Sequence, residues 1–317
     1  MSHPPTSPTG NPSINPTINP SSNPPTHRAG GEPTGSSTQR LRIRHDTRFR
    51  YDNDVVASYN EARMTPVSDH HQNTLHTRID IRPAATVFRY KDYWGTEVHA
   101  FDLNAEHREL HVVATSLVDT WDVDDEPPSS GWEPLRDQRT VDACVEWLKH
   151  TARTEPDEQL ITIAGDVVRG DTPDAAARAA SAFVHDQIEY VPGVTGVHSS
   201  VTDVWAERKG VCQDIAHLTI CLLRTAGIPA RYVSGYLHPQ TEPVAGETVA
   251  GQSHAWVEWW DGGWRGYDPT NAISCGARHV VVARGREYAD VAPFKGLYSG
   301  NASSVLDVTV EITGMSR

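Results

Sequence analysis

Residues 209–230 read KGVCQDIAHLTICLLRTAGIPA. Ile215, Leu218, Thr219, Leu222 and Leu223 recur at helical spacing, with Ala216 and Cys221 beside them. Gly227 supplies a stop and Pro229 follows two residues later. The pattern predicts a buried helix of about four turns whose first residue is Cys212. The first turn of a helix carries unpaired N–H groups and the positive end of the macrodipole. A sulfur placed there sits where negative charge is favoured and where an amide can meet an oxyanion. Cys221, mid-helix among leucines, has neither advantage and reads as core.

Two further residues complete a chemistry. His254 lies in SHAWVEWWD and Asp268 in GWRGYDPTN. The Trp- and Val-rich run after His254 reads as a strand, Asp261-Gly262-Gly263 as a turn, and Trp264 to Tyr267 as the returning strand. With a three-residue loop, Trp256 faces Asp268, and His254 lies diagonal to Asp268 on the same face, at roughly 7–8 Å between backbones. A two-residue loop would put them on opposite faces. A thiol, an imidazole and a carboxylate in this order make a nucleophile, a base and an orienting group.

These residues resemble the transglutaminase-like superfamily, which shares its catalytic logic with papain-type proteases. The resemblance rests on GVCQDIAHLTICLLRTAGIPARYVSGYL, SHAWVEWW, GYDPTN and, from 279 to 300, HVVVARGREYADVAPFKGLYSG. Upstream, HDTRFRYD and YKDYWGTEVHAFDL look like the N-terminal region that precedes the core in the bacterial group. The resemblance implies an α+β, papain-like core, a helical half packed on an antiparallel sheet, preceded by a β-sandwich-like domain. It implies Cys212, His254 and Asp268 as the catalytic residues, a protein or peptide amide as substrate, and no cofactor. The expected reaction is amide acyl transfer through a thioester that water resolves, as in a peptidase or deamidase. The alternatives are a protein-glutamine transamidase and an inactive module that binds peptides in the groove.

The chain divides by composition. Residues 1–38 are rich in Pro, Ser, Thr and Asn, lack apolar periodicity, and read as a disordered tail. Residues 39–118 carry strand signals in LRIRHDTRFRY, TRIDIRP, ATVFRYKDYWG, TEVHAFDL and ELHVVATSLV, and form the β-rich domain. Residues 119–138 are acidic and Pro-containing and read as a linker; residues 139–317 form the catalytic domain. Within it, Val141, Cys144, Val145 and Leu148 make one helical stripe, and Thr172-Pro173-Asp174 starts a helix running to Ile188. The segment from His238 to Gln252 reads as a polar, mobile, wet loop. Glu258 and Asp261 fit an exposed hairpin.

The remaining candidates are weaker. The backbone N–H of Cys212 is the oxyanion donor, with Tyr190 or Trp205 as the second; Gln213 and Gln252 are each able to polarise a carbonyl. Asp214 reads as structural, either a cap for the helix start or a hold on a neighbouring strand. Trp205, Trp256, Trp259 and Trp260 suit core packing better than the wall of a channel. His70, His71 and His76 lack the carboxylate or cysteine set of a metal site, and no EF-hand spacing is present. The net charge of −13 and the pI near 5.6 argue against nucleic acid and against an anionic membrane as partners. No apolar run reaches the length of a membrane span, and the N-terminus shows no secretory signal. Four cysteines without paired spacing suit a reducing compartment, so the expected location is cytoplasmic.

Overall fold

The computed structural model describes residues 38–122, 131–193 and 199–316. Residues 1–37 of the expected tail and residues 123–130 of the expected linker lie outside the described residues.

The first half is all strand: β1 (Thr38–Val55), β2 (Ala57–Ala62), β3 (Gln72–Arg82), β4 (Val87–Lys91), β5 (Glu97–Leu103) and β6 (His107–Trp121). The alternation in β1 is read out directly: Leu41, Ile43, His45, Thr47, Phe49 and Tyr51 all face inward, while the residues between them do not. Strands β3, β6 and β1 lie side by side in one sheet. A second sheet has the order β14-β2-β5-β4, where β14 (Phe294–Ser299) returns from far down the chain. Phe49, Phe101, Leu110, Val112 and Phe294 fill the space between the two sheets, with the Phe49 and Phe294 rings 4.9 Å apart. Each such side chain, fully buried, contributes about 1.5–3 kcal/mol. The sequence ASYNEA of β2 has little strand character of its own; the strand exists because β5 and β14 pair with it on either side.

Helices follow: α1 (Glu133–Arg136), α2 (Gln138–Ala143), α3 (Val145–Leu148), α4 (Glu158–Val167) and α5 (Pro173–Gln187). The stripe expected over 141–148 is broken at Cys144, which leaves helical backbone geometry between α2 and α3. Helix α4 carries a start signal that hydrophobic spacing alone passes over: the Asp157 carboxylate accepts the Leu160 N–H at 2.8 Å. Thr172 caps α5 as expected, its hydroxyl accepting the Ala175 N–H.

A short parallel pair, β7 (Glu189–Tyr190) and β8 (Lys209–Gly210), brackets α6 (Val201–Glu207) and leads into α7 (Cys212–Thr225). Helix α7 is buried on every side, not only along its apolar stripe. Its polar side chains are accommodated one by one. Thr219 and Thr225 donate to carbonyls one turn back, and His217 Nε2 accepts the Tyr288 N–H at 3.1 Å. The Arg224 guanidinium donates to the carbonyls of Trp147, Lys149, Ala230 and Arg286. The helix ends in a Schellman motif: Gly227, at φ +80°, donates to Arg224 O, and Ile228 donates to Leu223 O. Truncating Leu218 or Leu222 to Ala would cost about 2–5 kcal/mol.

The last elements are β9 (Ala230–Leu237), β10 (Thr248–Trp260), β11 (Trp264–Asp268), β12 (Ile273–Ser274), β13 (His279–Gly285), α8 (Tyr288–Val291), β14 and β15 (Ser304–Gly314). Strand β10 changes partner along its length. Thr248–Gly251 pair with β15, and Gln252–Trp259 pair with β9. Because β15 also pairs with β1, one sheet runs β12-β11-β10-β15-β1-β6-β3, with β9 and β13 branching from β10. The expected loop from His238 to Gln252 is therefore shorter, covering residues 238–247. It is also tied to the end of β15, with Gly246 donating to Gly314 O and Gly314 donating to Glu247 O. A four-residue stretch as plain as TVAG becomes strand because β15, some sixty residues away, supplies its partner. Among the described residues no helix is long and apolar enough to cross a membrane.

Candidate active site

Cys212 opens α7 after Val211, whose backbone is fully extended. The Asp214 carboxylate turns back to accept the Val211 N–H at 2.8 Å, the capping role its position suggested. The amides of Asp214 and Ile215 go to Val211 O. Cys212 is 4% exposed.

His254 stands on β10 three residues beyond the change of partner, opposite Gly235 of β9. A Cβ at Gly235 would lie 2.0 Å from Val280 O and 2.6 Å from the Trp256 ring, so only glycine lets β13 and Trp256 close around this position. Strands β10 and β11 pair Val257 with Tyr267 and Trp260 with Trp264, which leaves the three-residue loop Asp261–Gly262–Gly263. That register puts His254 and Asp268 on one face. His254 Nε2 meets Asp268 Oδ2 at 2.6 Å.

Asp268 is fully buried and well supplied with donors. Its Oδ1 accepts the N–H groups of Thr270 and Asn271, at 3.0 and 3.2 Å, and its Oδ2 accepts the Asn271 side-chain amide at 2.7 Å. Burial acts to raise its pKa, yet the charge and hydrogen bond of His254, assisted by His279, hold it well below the usual carboxylate range. For His254, burial acts downward; the Asp268 charge and hydrogen bond, joined by the Cys212 sulfur, outweigh it and raise the imidazole to about 10. Cys212 and His254 line the same cavity. With Nε2 engaged by Asp268, the other ring nitrogen, Nδ1, is left for the sulfur. The arrangement is a sulfur, a strongly basic imidazole and an anchored carboxylate in line.

Two contributors carry little signal in the chain. Asn271 closes over Asp268 from within the same DPTN turn. His279 accepts the Gly276 N–H on Nδ1 at 3.2 Å, so Nε2 carries the proton, and it faces Asp268 Oδ2 at 3.5 Å. Its only sequence mark is that it begins the stretch from 279 to 300. Trp256 packs edge-on to His279 and beside His254. Trp259 is core and donates its indole N–H to Asp174, while Trp260 packs on Trp264.

Of the oxyanion candidates, Tyr190 pairs with Gly210 just before the thiol, and its phenol, raised chiefly by burial, feels the charges of Cys212 and Asp268. Trp205 packs on Phe183 and under the Arg208 guanidinium. Gln213 is buried on the first turn, and Gln252 is exposed on β10. The exposed hairpin expected at Glu258 and Asp261 is overturned, since both carboxylates are buried. Glu258 binds Arg231 and Arg284, the latter at 2.9 Å, and Asp261 lies 3.6 Å from Arg265. The cause is that the N-terminal half covers this face, with Asp69 reaching Arg284 at 2.9 Å. Among the described residues no group of three His, Cys, Asp or Glu side chains is placed to hold a metal.

Comparison with known proteins agrees with this architecture. Residues 41–119 match the bacterial transglutaminase-like N-terminal region, and residues 161–269 match the transglutaminase-like superfamily. An uncharacterized protein of Mycobacterium leprae is 44% identical over 277 residues, covering 87% of this chain and 99% of that one. A protein-glutamine gamma-glutamyltransferase of Pseudomonas aeruginosa is 28% identical over 153 residues, 46% of this chain and 23% of that protein. The solved structure of a protein from Cytophaga hutchinsonii, provisionally named a cysteine protease, shares the fold. Its TM-score is 0.70 at 22% identity, covering 89% of this chain and 93% of that one. With the core, the N-terminal region and their shared sheet all accounted for, the chain belongs to the transglutaminase-like superfamily.

Proposed function

We propose that this protein is a cysteine-dependent amide acyl-transfer enzyme that acts as a hydrolase on a protein or peptide. The observation that carries the reading is the His254–Asp268 hydrogen bond at 2.6 Å beside a cavity that Cys212, first residue of α7, and His254 both line. Cys212 Sγ attacks the amide carbonyl with its proton held on His254, whose raised pKa favours the imidazolium. The Cys212 N–H, on the first turn of α7, stabilises the oxyanion. His254 then gives its proton to the departing amine, and a thioester remains. Water, deprotonated by His254, releases the acid and restores the thiol. Asp268 keeps the imidazole in the tautomer that points Nδ1 at the sulfur. Nothing in this sequence of steps calls on a cofactor. The four free cysteines suit a reducing compartment, which we take to be the cytoplasm.

Hydrolysis is favoured over transamidation by the surroundings of the thiol. The cavity beside Cys212 and His254 has no Asp or Glu among its described lining residues that would attract a lysine ammonium. Glu258 and Asp261 are committed to arginines. The likeness to the Pseudomonas gamma-glutamyltransferase favours the second reading, crosslinking of glutamine to an amine. A Gln-containing peptide supplied with excess primary amine separates the two by product mass. Free acid as the main product supports the hydrolase, and a dominant amine adduct at modest amine concentration replaces it with the transamidase. Absence of both products, with Cys212 inert to iodoacetamide, leaves the peptide-binding module.

A further inference from the structure

The turn between β11 and β12 holds a strained residue beside Asp268. Asp268 and Ile273 pair across the two strands, so residues 269–272 reverse the chain between them. Ala272 completes that reversal at φ +54°, a left-handed conformation that a residue with a Cβ rarely adopts. From α5, His185 donates its Nδ1–H to the Pro269 carbonyl at 3.1 Å and ties the turn to the helices. Strain of this kind persists where the surroundings impose it, and it gathers at working sites. What this turn delivers is the Asn271 side chain. Its Nδ2 lies 2.7 Å from Asp268 Oδ2 and 3.4 Å from His254 Nε2, at the junction of the two groups. A carboxylate oxygen only accepts, so the amide presents its NH2 there and not its oxygen. Asp268 is fully buried, and Asn271, bonded to it, is half-buried.

We propose that Asn271 is a positioning residue for acyl transfer: its amide holds Asp268 Oδ2 against His254 and keeps water from that contact. The inference rests on the acyl-transfer reading and adds to it a residue that acts through Asp268. The two carboxylate oxygens are held differently. Oδ1 is tied to the backbone N–H groups of Thr270 and Asn271, which sets where the carboxylate sits. Oδ2 is the atom that meets His254, and the Asn271 side chain sets its direction. Water admitted at this point would replace the lost hydrogen bond and still weaken the attraction between Asp268 and His254, because that attraction falls as the local dielectric rises. The titratable and charged groups that face the pair are Cys212 of α7 toward His254, and His279 of β13, Arg278 just before it and Tyr190 of β7 toward Asp268. All of them stay in place in an Asn271 variant, and the Asn271 side chain itself carries no charge to lose. Its removal is therefore read at His254, whose imidazole should become less basic.

The test uses the full chain with isotope-labelled histidine. Asn271→Ala opens the contact to water, and Asn271→Leu, near in volume, fills it without a donor. The His254 ring is titrated by NMR, its signals assigned as those missing from His254→Gln. The imidazolium, raised to about 10 in the native chain, should lose its proton about one pH unit earlier in Asn271→Ala, a tenfold larger acid dissociation constant. Asn271→Leu should show a smaller shift in the same direction. The signals are those of the folded chain, so the reading does not depend on the fraction folded. With less proton held on His254 the thiolate is less favoured, and modification of Cys212 by iodoacetamide near neutral pH should slow by up to about tenfold in Asn271→Ala, read by peptide mass. A His254 titration unchanged in Asn271→Ala, whatever the melting temperature does, overturns the positioning role and leaves the acyl-transfer reading intact. A Cys212 that iodoacetamide leaves unmodified in the native chain overturns the acyl-transfer reading, while the titration still decides whether Asn271 controls His254.

Discussion

The two halves of this molecule differ in how many charges they bury, although each leaves some neutral polar groups unpaired. The C-terminal half buries charges, and it pairs them: His254 with Asp268 at 2.6 Å, Arg153 with Glu287 at 2.7 Å, and Glu258 between Arg231 and Arg284. Its Arg224 lies in a cage of carbonyls. The β-sandwich buries mostly neutral groups and leaves several unpaired, among them Thr47 Oγ1, Tyr51 OH, Asn60 Oδ1 and Thr65 Oγ1; Arg63, bonded to Asp92, is the charged exception. The difference follows from cost. An unpaired neutral hydroxyl in a core costs about 1–3 kcal/mol, whereas an unpaired ion costs several times more, so only the charges must be compensated. The C-terminal half directs its pairing to a strong fixed field at His254, and the sandwich supplies a neutral wall. The two meet at the cavity beside Cys212.

The contrast is broken most sharply within α7 itself. Cys212→Ala should remove turnover, a fall of roughly 10⁵–10⁶-fold, while the melting temperature stays nearly unchanged. Cys221→Ala, nine residues on and fully buried, should keep turnover and cost about 1 kcal/mol in a denaturant titration. Its thiol is pushed up to about 12 by burial, which suits packing and not chemistry.

Asp268→Asn should lower turnover about 10⁴-fold, because the imidazole loses control of its tautomer. It should also alter stability against pH. The folded pKa of His254 is raised, so its contribution is complete below pH 6.5 and is lost as pH climbs from 6.5 toward about 10. Melting temperatures across that window should fall more steeply in the native chain than in Asp268→Asn. An equal slope in both would remove Asp268 from the control of His254.

Glu258→Gln leaves Arg231 and Arg284 without their shared carboxylate and should cost about 3–5 kcal/mol of stability. Glu258 is the reverse case in pH. Burial acts to raise it, but the two arginines bring it down to about 2, so its contribution is present above 4.5 and is lost as pH falls toward 2. Urea midpoints between those values should change less in Glu258→Gln than in the native chain.

The smallest effect lies on the sandwich side. Thr47→Val removes an unpaired hydroxyl and should raise stability by about 1 kcal/mol. A loss of that size instead would mean the hydroxyl has a partner in solution, and the contrast between the halves would weaken.

Some of this was written in local pattern. The strand alternation from Leu41 to Tyr51, the α7 stripe with its Gly227 stop, and the Thr172 cap each depend on neighbours a few residues away, and each appears in the structure as read. The relation of His254 to Asp268 was legible only on condition of a three-residue turn, which the β10–β11 register satisfies. What short range cannot carry is a partner far away in the chain. Strand β2 and the first residues of β10 are strands because β14 and β15 lie beside them. Glu258 looked exposed because its local context is a charged hairpin, and it is buried because Arg284 and the loop at Asp69 close over it. His279 reaches Asp268, and His45 and Thr47 reach the cavity beside Cys212, across separations that periodicity does not span. The sequence alone determined which residues have the chemistry to act and which faces they turn inward, since propensity, capping and alternation are local. Only the tertiary structure decided which buried groups share a site, since that depends on strand pairing and packing between segments that local pattern does not connect.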